Sequence, residues 1–248
     1  MIEQWKPDMI RLMRDAAERE PFYKEIAAEI AAKLPAGAHV CDAGCGLGYL
    51  ALHLARRGFA VTAVDINRDA LSVFRENCAA EGLRADAPCG DIACLPPEKP
   101  YDAMVFCFFG EIGQILRLAL RQCRGDVFII ARNYHLHRFS PGEHRLRRGG
   151  LREMAGELDA RGIPFCMKEM SLSFGQPLKS REDARLFFSL YGRDGAVTEE
   201  FIDSRIVKAQ DGEFPYYMPH RREIGFLHFR TADIRGGYEK EDSREDGE

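Results

Sequence analysis

Short runs of residues that are apolar on both faces, each followed by a helical pattern, constrain this chain more than any other feature. Residues 59–65 (Phe-Ala-Val-Thr-Ala-Val-Asp) show it most clearly. A strand without polar alternation has no solvated face, so helices must cover it on both sides, as in parallel sheets. The same character recurs at 39–43, 103–108 and 127–131, with a shorter run near 85–89. Between these runs the period changes. Residues 49–57 place Leu50 and Leu54 on one helical face and meet a stop at Gly58. Asn67 is placed to cap a helix that turns Ala70, Leu71, Phe74 and Cys78 inward. Further helices are expected over 7–34, broken near Pro21, over 112–123 and over 151–160, with later strands at 165–174 and 223–230. This alternation predicts an α/β fold: an open, doubly wound, mostly parallel sheet with helices on both faces. No repeat or low-complexity linker interrupts it, so one domain is the simplest organisation.

Charge and cysteine usage narrow the class of protein. The formal net charge is −4. Residues 239–248 alone hold six acids and two bases, so the rest of the chain is neutral on balance and exerts no global pull on nucleic acid or membrane. That tail has nothing apolar to bury and is expected to be disordered. The eight cysteines include no Cys-x-x-Cys pair, and Cys41, Cys45, Cys107 and Cys123 sit in apolar or glycine-rich runs. Free, mostly buried thiols are expected, with no zinc or other metal site. The amino terminus lacks a hydrophobic signal core, and the longest apolar run, 103–109, is too short to span a bilayer. These features point to a cytoplasmic protein.

Chemistry is signalled first in the turn after the 39–43 strand, Asp42-Ala43-Gly44-Cys45-Gly46-Leu47-Gly48. Glycines at every second residue let the backbone approach a ligand, and the next helix aims its amide dipole there. A dinucleotide fingerprint requires a third glycine at position 49, which is Tyr49. The segment instead resembles the first motif of class I S-adenosylmethionine-dependent methyltransferases, Asp/Glu-x-Gly-x-Gly-x-Gly. A glycine-rich turn with no ligand is the competing reading. Asp65 ends the second strand where family members carry an acid that accepts the ribose hydroxyls, followed here by Ile66. Asp91, in Gly90-Asp91-Ile92, is similar to the family segment that faces the adenine amino group, with Ile92 against the ring; a helix cap is the alternative for Asp91. The resemblance covers residues 35–131. It implies S-adenosyl-L-methionine as cofactor, held by Tyr23, Asp42, Gly44, Cys45, Gly46, Gly48, Asp65, Ile66, Asp91, Ile92 and Cys107. It further implies a Rossmann-like sheet of seven strands ordered 3-2-1-4-5-7-6, with 223–230 antiparallel among the later strands.

The acceptor is less legible. The Asn-Pro-Pro-Tyr type of segment that resembles methyltransferases of exocyclic amines is replaced by Phe106-Cys107-Phe108-Phe109-Gly110-Glu111. An aromatic floor of that kind favours a small-molecule acceptor, with plain core packing the alternative for one of Phe108 and Phe109. Candidate general bases are Glu111, His135 and Tyr134, and Glu111 suits the helix amino terminus beginning there better than it suits a base. Residues 132–152 carry Arg132, Arg138, Arg145, Arg147, Arg148 and Arg152 against one acid, Glu143. Such a segment is a lip for an anionic substrate or a solvated face. The aromatic-rich stretch 175–222 reads as an insertion, a lid, a dimer contact or ordinary helix packing. The expected organisation is a helical cover at 1–34, a methyltransferase domain at 35–232 with 175–222 inserted, and an acidic tail at 233–248. In-line methyl transfer to a small molecule, an anionic one included, is the leading expectation. An RNA or protein methyltransferase and a non-catalytic S-adenosylmethionine-binding module remain alternatives. A homodimer stays open, and membrane partners are not expected.

Overall fold

The structure, a computed structural model, describes residues 5–146, 150–192 and 197–234. The expected acidic tail from 235 onward, and Arg147 and Arg148 of the basic segment, lie outside the described residues. The chain forms helices α1 (Pro7–Arg19) and α2 (Phe22–Ala31), strand β1 (His39–Ala43), α3 (Tyr49–Ala55), β2 (Ala60–Val64) and α4 (Arg68–Ala80). Next come β3 (Tyr101–Cys107), α5 (Ile112–Gln122), β4 (Cys123–Arg132), α6 (Leu151–Ala160) and β5 (Cys166–Ser173). The last elements are β6 (Gln176–Leu178), α7 (Arg181–Tyr191), α8 (Glu199–Arg205), β7 (Val207–Lys208), β8 (Tyr216–Met218) and β9 (Arg221–Arg230).

Although the sequence shows no linker, the chain divides into two compact units. A sheet unit takes the described parts of 23–133, 149–170 and 224–248, and a second unit takes those of 1–22, 134–148 and 171–223. The amino-terminal cover expected over 1–34 is thus shared between them at Phe22 and Tyr23.

The sheet has six strands in the order β2-β1-β3-β4-β9-β5. The pairs β1–β2, β1–β3 and β3–β4 are parallel, and β9 runs antiparallel to β4, with Ile129 opposite Leu227. The expected seven strands become six because the segment near 85–89 contributes only two isolated parallel bridges, Thr62 with Asp86 and Asp65 with Cys89. The hydrogen bonds give the reason. Ala63 N–H donates to the Asp86 carbonyl and Asp86 N–H to the Val61 carbonyl. The next inward donor of that ladder is residue 88, a proline, which has no N–H.

Apolar residues on one face of these strands build a core with α5 and α6. Cys41, Ala43, Met104, Phe106, Val127, Ile129, Leu227 and Phe229 pack with Ile112, Ile115, Leu116 and Ala119 of α5 and with Leu158 of α6. Each large side chain fully buried this way contributes roughly 1.5–3 kcal/mol. Chain order runs from β1 to β2 on one side and leaves β3 on the other, so the carboxyl ends of β1 and β3 flank the switch point where open α/β sheets take ligands.

The second unit has its own sheet, β6-β8-β7, and its own core, in which Leu12, Leu178, Phe187, Phe188, Ile202 and Met218 pack together. Phe187 and Tyr191, one turn apart on α7, place their ring centroids 4.9 Å apart. Arg11 grips Asp183 with two hydrogen bonds, at 2.8 and 3.2 Å, and fixes α1 to α7.

All eight cysteines are free. Only Cys41, Cys78 and Cys123 are buried, while Cys89, Cys94 and Cys166 are exposed, so the expectation of mostly buried thiols is corrected. Among the described residues, no helix is long and apolar enough to cross a membrane.

Candidate functional site

β1 delivers the chain into a turn whose three glycines, Gly44, Gly46 and Gly48, all have left-handed backbones, at φ 69, 56 and 72°. A residue with a Cβ pays about 1–2 kcal/mol for that conformation, and this chain avoids the cost three times. The turn is tied to β2 at two levels. Gly44 and Cys45 N–H both donate to the Val64 carbonyl, at 2.8 and 3.0 Å. Gly46 N–H donates to Asp65 Oδ2, and Asn67 N–H to Asp65 Oδ1, each at 2.8 Å. The carboxylate after β2 therefore clamps the turn after β1 while it also shapes the start of α4, which Asn67 caps through Ala70 N–H at 2.9 Å.

The glycines divide by what they face. A Cβ at Gly44 would stand 2.3 Å from the Phe109 ring, and one at Gly48 would stand 2.5 Å from the Phe74 ring. Glycine at these two positions answers to packing inside the protein as well as to any ligand.

Asp42 is 1% exposed. Its carboxyl accepts the Ala51 N–H in the first turn of α3, and its Oδ1 has no hydrogen-bond partner. Burial pushes its pKa up to about 7; the Ala51 bond opposes the rise and the nearby charge of Asp65 adds to it. An acid that ionises near neutrality beside a glycine turn at the switch point is a functional-site signature.

Asp91 takes the capping role offered as its alternative. Its Oδ1 accepts the Ala93 N–H at 2.9 Å at the start of the 3-10 turn Ile92–Cys94, and its side chain is exposed. Ile92 is only 2% exposed and belongs to the core, so it offers almost no surface to a ring. The apolar surface is at Ile66, 43% exposed at the carboxyl end of β2. Cys45 and Cys107 are part-buried, and the Tyr23 ring stacks on Tyr49 with centroids 6.0 Å apart.

Phe108 and Phe109 separate. Phe109 packs against the core and closes over Gly44, whereas Phe108 is 43% exposed with φ 55°, and is the non-glycine residue with a left-handed backbone among those described. A β-strand that ends in a strained, exposed phenylalanine at the switch point stores strain where ligands bind. Sequence reading identified the two rings but not the strain, since no composition signal reports a positive φ at phenylalanine.

The candidate bases are divided between the two units. Glu111 stands at the amino-terminal cap position of α5 without capping through its side chain. It borders a cleft of about 740 Å³ with Gln114, Arg117, Arg121 and Glu157, a cleft that shares no lining residue with the glycine turn. Tyr134 and His135 belong to the second unit. The basic segment is divided in the same way. Arg132 and Arg152 fall in the sheet unit, while Arg138 and Arg145 fall in a part of the second unit that folds back through a Leu136–Arg145 bridge.

Residues 40–125 match the family model described as a methyltransferase domain. Over 50 residues the chain is 42% identical to an S-adenosyl-L-methionine-dependent Diels-Alderase of Neonectria sp., covering 20% of each chain. Over 71 residues it is 32% identical to a ubiquinone biosynthesis O-methyltransferase of Coxiella burnetii, covering 29% of this chain and 30% of the relative. A tRNA (guanine(37)-N(1))-methyltransferase of Trichomonas vaginalis is 40% identical over 50 residues, covering 20% and 13%. The matched segment thus spans less than a third of these curated relatives. Among solved structures, the YcgJ protein of Bacillus subtilis superposes with a TM-score of 0.53 at 16% identity, over 84% of this chain and 97% of that one. A structure from echinomycin biosynthesis, from the conversion of a disulfide bond into a thioacetal group, gives a TM-score of 0.51 at 19% identity, over 85% and 82%. The structural likeness is one of fold, and the family-model match at 40–125 includes β1, β2, β3 and the glycine turn. The methyltransferase-domain match thus covers residues 40–125, and the likeness to the solved structures extends the fold beyond it.

Proposed function

We propose that this protein is an S-adenosylmethionine-dependent methyltransferase that transfers the methyl group in line to a small-molecule acceptor. The observation that carries the reading is the Asp65 carboxylate, held at 2.8 Å by the amides of Gly46 and Asn67 at the carboxyl end of β2. Each of its oxygens spends one lone pair on an amide and keeps another for a ribose hydroxyl. The surroundings fit the cofactor. Gly46 has no side chain to obstruct the approach, Ile66 offers apolar surface beside the acid, and the unmatched Oδ1 of Asp42 is a buried acceptor in the same turn. Tyr23, Cys45 and Cys107 belong to the proposed lining, whereas Ile92 and Asp91 serve chiefly the core and the turn.

Bound there, S-adenosylmethionine supplies a methyl group already activated by its sulfonium. The protein's remaining work is alignment of the acceptor and exclusion of water. Phe108, held out by its left-handed backbone, is placed to do part of this, and it favours a flat or apolar acceptor. A base is required only for an acceptor that arrives protonated. A small-molecule acceptor is supported by the absence of an Asn-Pro segment at the end of β3 and by the likeness to the ubiquinone biosynthesis O-methyltransferase.

The test is a calorimetric titration with S-adenosylhomocysteine, followed by a screen of metabolites, RNA and protein extracts for its formation from S-adenosylmethionine. Binding with turnover on a small molecule is the expected result. No cofactor binding sinks the proposal. Turnover on RNA or protein alone overturns the acceptor class, and binding without turnover on any of them points to a sensing module.

A further inference from the structure

The cleft of about 740 Å³ beside α5 has the size of a small-molecule site, and the methyl-transfer reading leaves it unused. It lies wholly within the sheet unit. Helix α5 lines it with Gln114, Arg117, Leu118 and Arg121, the 3-10 turn after Asp91 contributes Ala93, and α6 contributes Glu157.

The sequence of α5 sets this up. Ile112, Ile115, Leu116 and Ala119 are turned to the core, so Arg117 and Arg121, one turn apart, fall on the opposite, exposed side. Arg117 Nη1 stands 3.5 Å from the point that a Cβ at Gly113 would occupy. Its guanidinium therefore lies over the first turn of the helix at a residue with no side chain. Leu118 and the half-buried Leu120 add apolar lining.

The charges of the cleft do not cancel. Neither guanidinium has a carboxylate partner among the described residues. The position one turn before Arg117, where an acid would offset it, is Gly113, and the position one turn after it is Arg121. Two like charges so placed weaken a helix. Other arginines of the unit are paired: Arg124 reaches Asp102 at 2.6 Å, and Arg56 reaches Glu81 at 2.7 Å. Arg161 meets Glu157 at 3.2 Å and so offsets the acid that α6 brings to the cleft. Glu111, the other acid of the lining, stands at the amino-terminal cap of α5, whereas Arg121 is in its last turn.

Guanidiniums bind carboxylate and phosphate through paired hydrogen bonds, so two of them without a counterion, beside apolar surface, match an oxyanion on a small organic molecule. We propose that the α5 cleft is a binding site for a small molecule bearing a carboxylate or a phosphate, held by Arg117 and Arg121 with the Gln114 amide. Ala93, Leu118 and Leu120 receive its apolar body. Two arginines on adjacent turns suit one anionic group better than the repeated phosphates of a nucleic acid. The site is additional to the glycine turn and does not rest on the methyl-transfer reading.

The test uses the full chain without a methyl donor, so its failure is separable from failure of that reading. Inorganic phosphate, phenyl phosphate and benzoate are titrated calorimetrically at an ionic strength held constant with chloride. Saturable binding of at least one is expected, and whether phenyl phosphate or benzoate prevails decides between the two anion chemistries. Arg117→Gln and Arg121→Gln, both at exposed positions, should each weaken it roughly threefold to tenfold, the range for a charge-assisted contact partly open to water. Glu111→Gln should tighten it, because a negative charge leaves the lining. Arg84→Gln, exposed in the same unit outside the cleft, should leave it unchanged. No saturable binding of any probe overturns the proposal, as does an equal loss in Arg84→Gln or unaltered affinity in both cleft arginine variants. Weaker binding in Glu111→Gln counts against an anionic ligand, and tight binding of a short single-stranded RNA where no small anion binds overturns the ligand class.

Discussion

Replacing Asp65 by alanine separates two roles that the structure assigns to one carboxylate. The side chain is part-buried, and its two oxygens accept the amides of Gly46 and Asn67 at 2.8 Å. A hydrogen bond to a charged group contributes about 1.5–3 kcal/mol net, and exposure of the site lets water replace part of what is lost. Asp65→Ala should therefore destabilise the protein by about 1–3 kcal/mol, a thermal shift of roughly 2–10 °C for a chain of this size. It should also weaken S-adenosylhomocysteine by about one decade for each 1.4 kcal/mol of ribose contact removed. The stability cost arises because the carboxylate clamps Gly46 as well as lying at the strand's end. Asp69→Ala, an exposed acid in the first turn of α4, is the control and should cost less than about 1 kcal/mol without touching affinity. Urea denaturation reads stability, and calorimetry of the folded variant reads affinity. Stability of Asp65→Ala within about 0.5 kcal/mol of the parent would refute the clamp, and unchanged affinity would refute the cofactor site.

Asp42 predicts a pH dependence of defined sign. Its folded pKa, about 7, lies above the unfolded value near 3.8, so the native state holds the extra proton and stability falls as pH rises from about 4 to about 7. Relative to Asp42→Asn, which cannot ionise, the parent should lose on the order of a few kcal/mol across that window; parallel stability curves for the two proteins contradict the assignment. Phe108→Gly relieves the left-handed backbone and removes an exposed ring, so stability should change by less than about 1 kcal/mol while turnover falls. Phe109→Ala, by contrast, opens the packing over Gly44 and should cost about 3 kcal/mol; equal thermal shifts in the two variants would show that Phe108 is ordinary packing.

Much of the sheet unit was legible because its signals are local. Short runs apolar on both faces, set against the helical period of 3.6, marked β1 to β4 and the helices between them, the Asn67 cap lay where a cap must, and the spacing Asp42 to Gly48 identified the turn. Asp65 was legible from its place after an apolar strand. The missing strand shows the limit of the same reasoning. The run near 85–89 is apolar enough, and Pro88 was in plain view, but only the pairing with β2 shows that the ladder needs a donor at that position. The acceptor side was less legible because tyrosine, histidine, glutamate and arginine in a run do not announce which unit they will join.

The sequence by itself determined a doubly wound α/β chain with a glycine turn flanked by two acids, since strand and helix patterns and turn chemistry are written within a few residues. Only the tertiary structure decided that the Asp65 carboxylate is bound to backbone amides and that Ile66, rather than Ile92, holds the exposed surface. It also decided that the basic segment is divided between two units. These outcomes rest on burial and on long-range proximity. Both depend on where elements dozens of residues apart come to rest, and no local pattern encodes that distance.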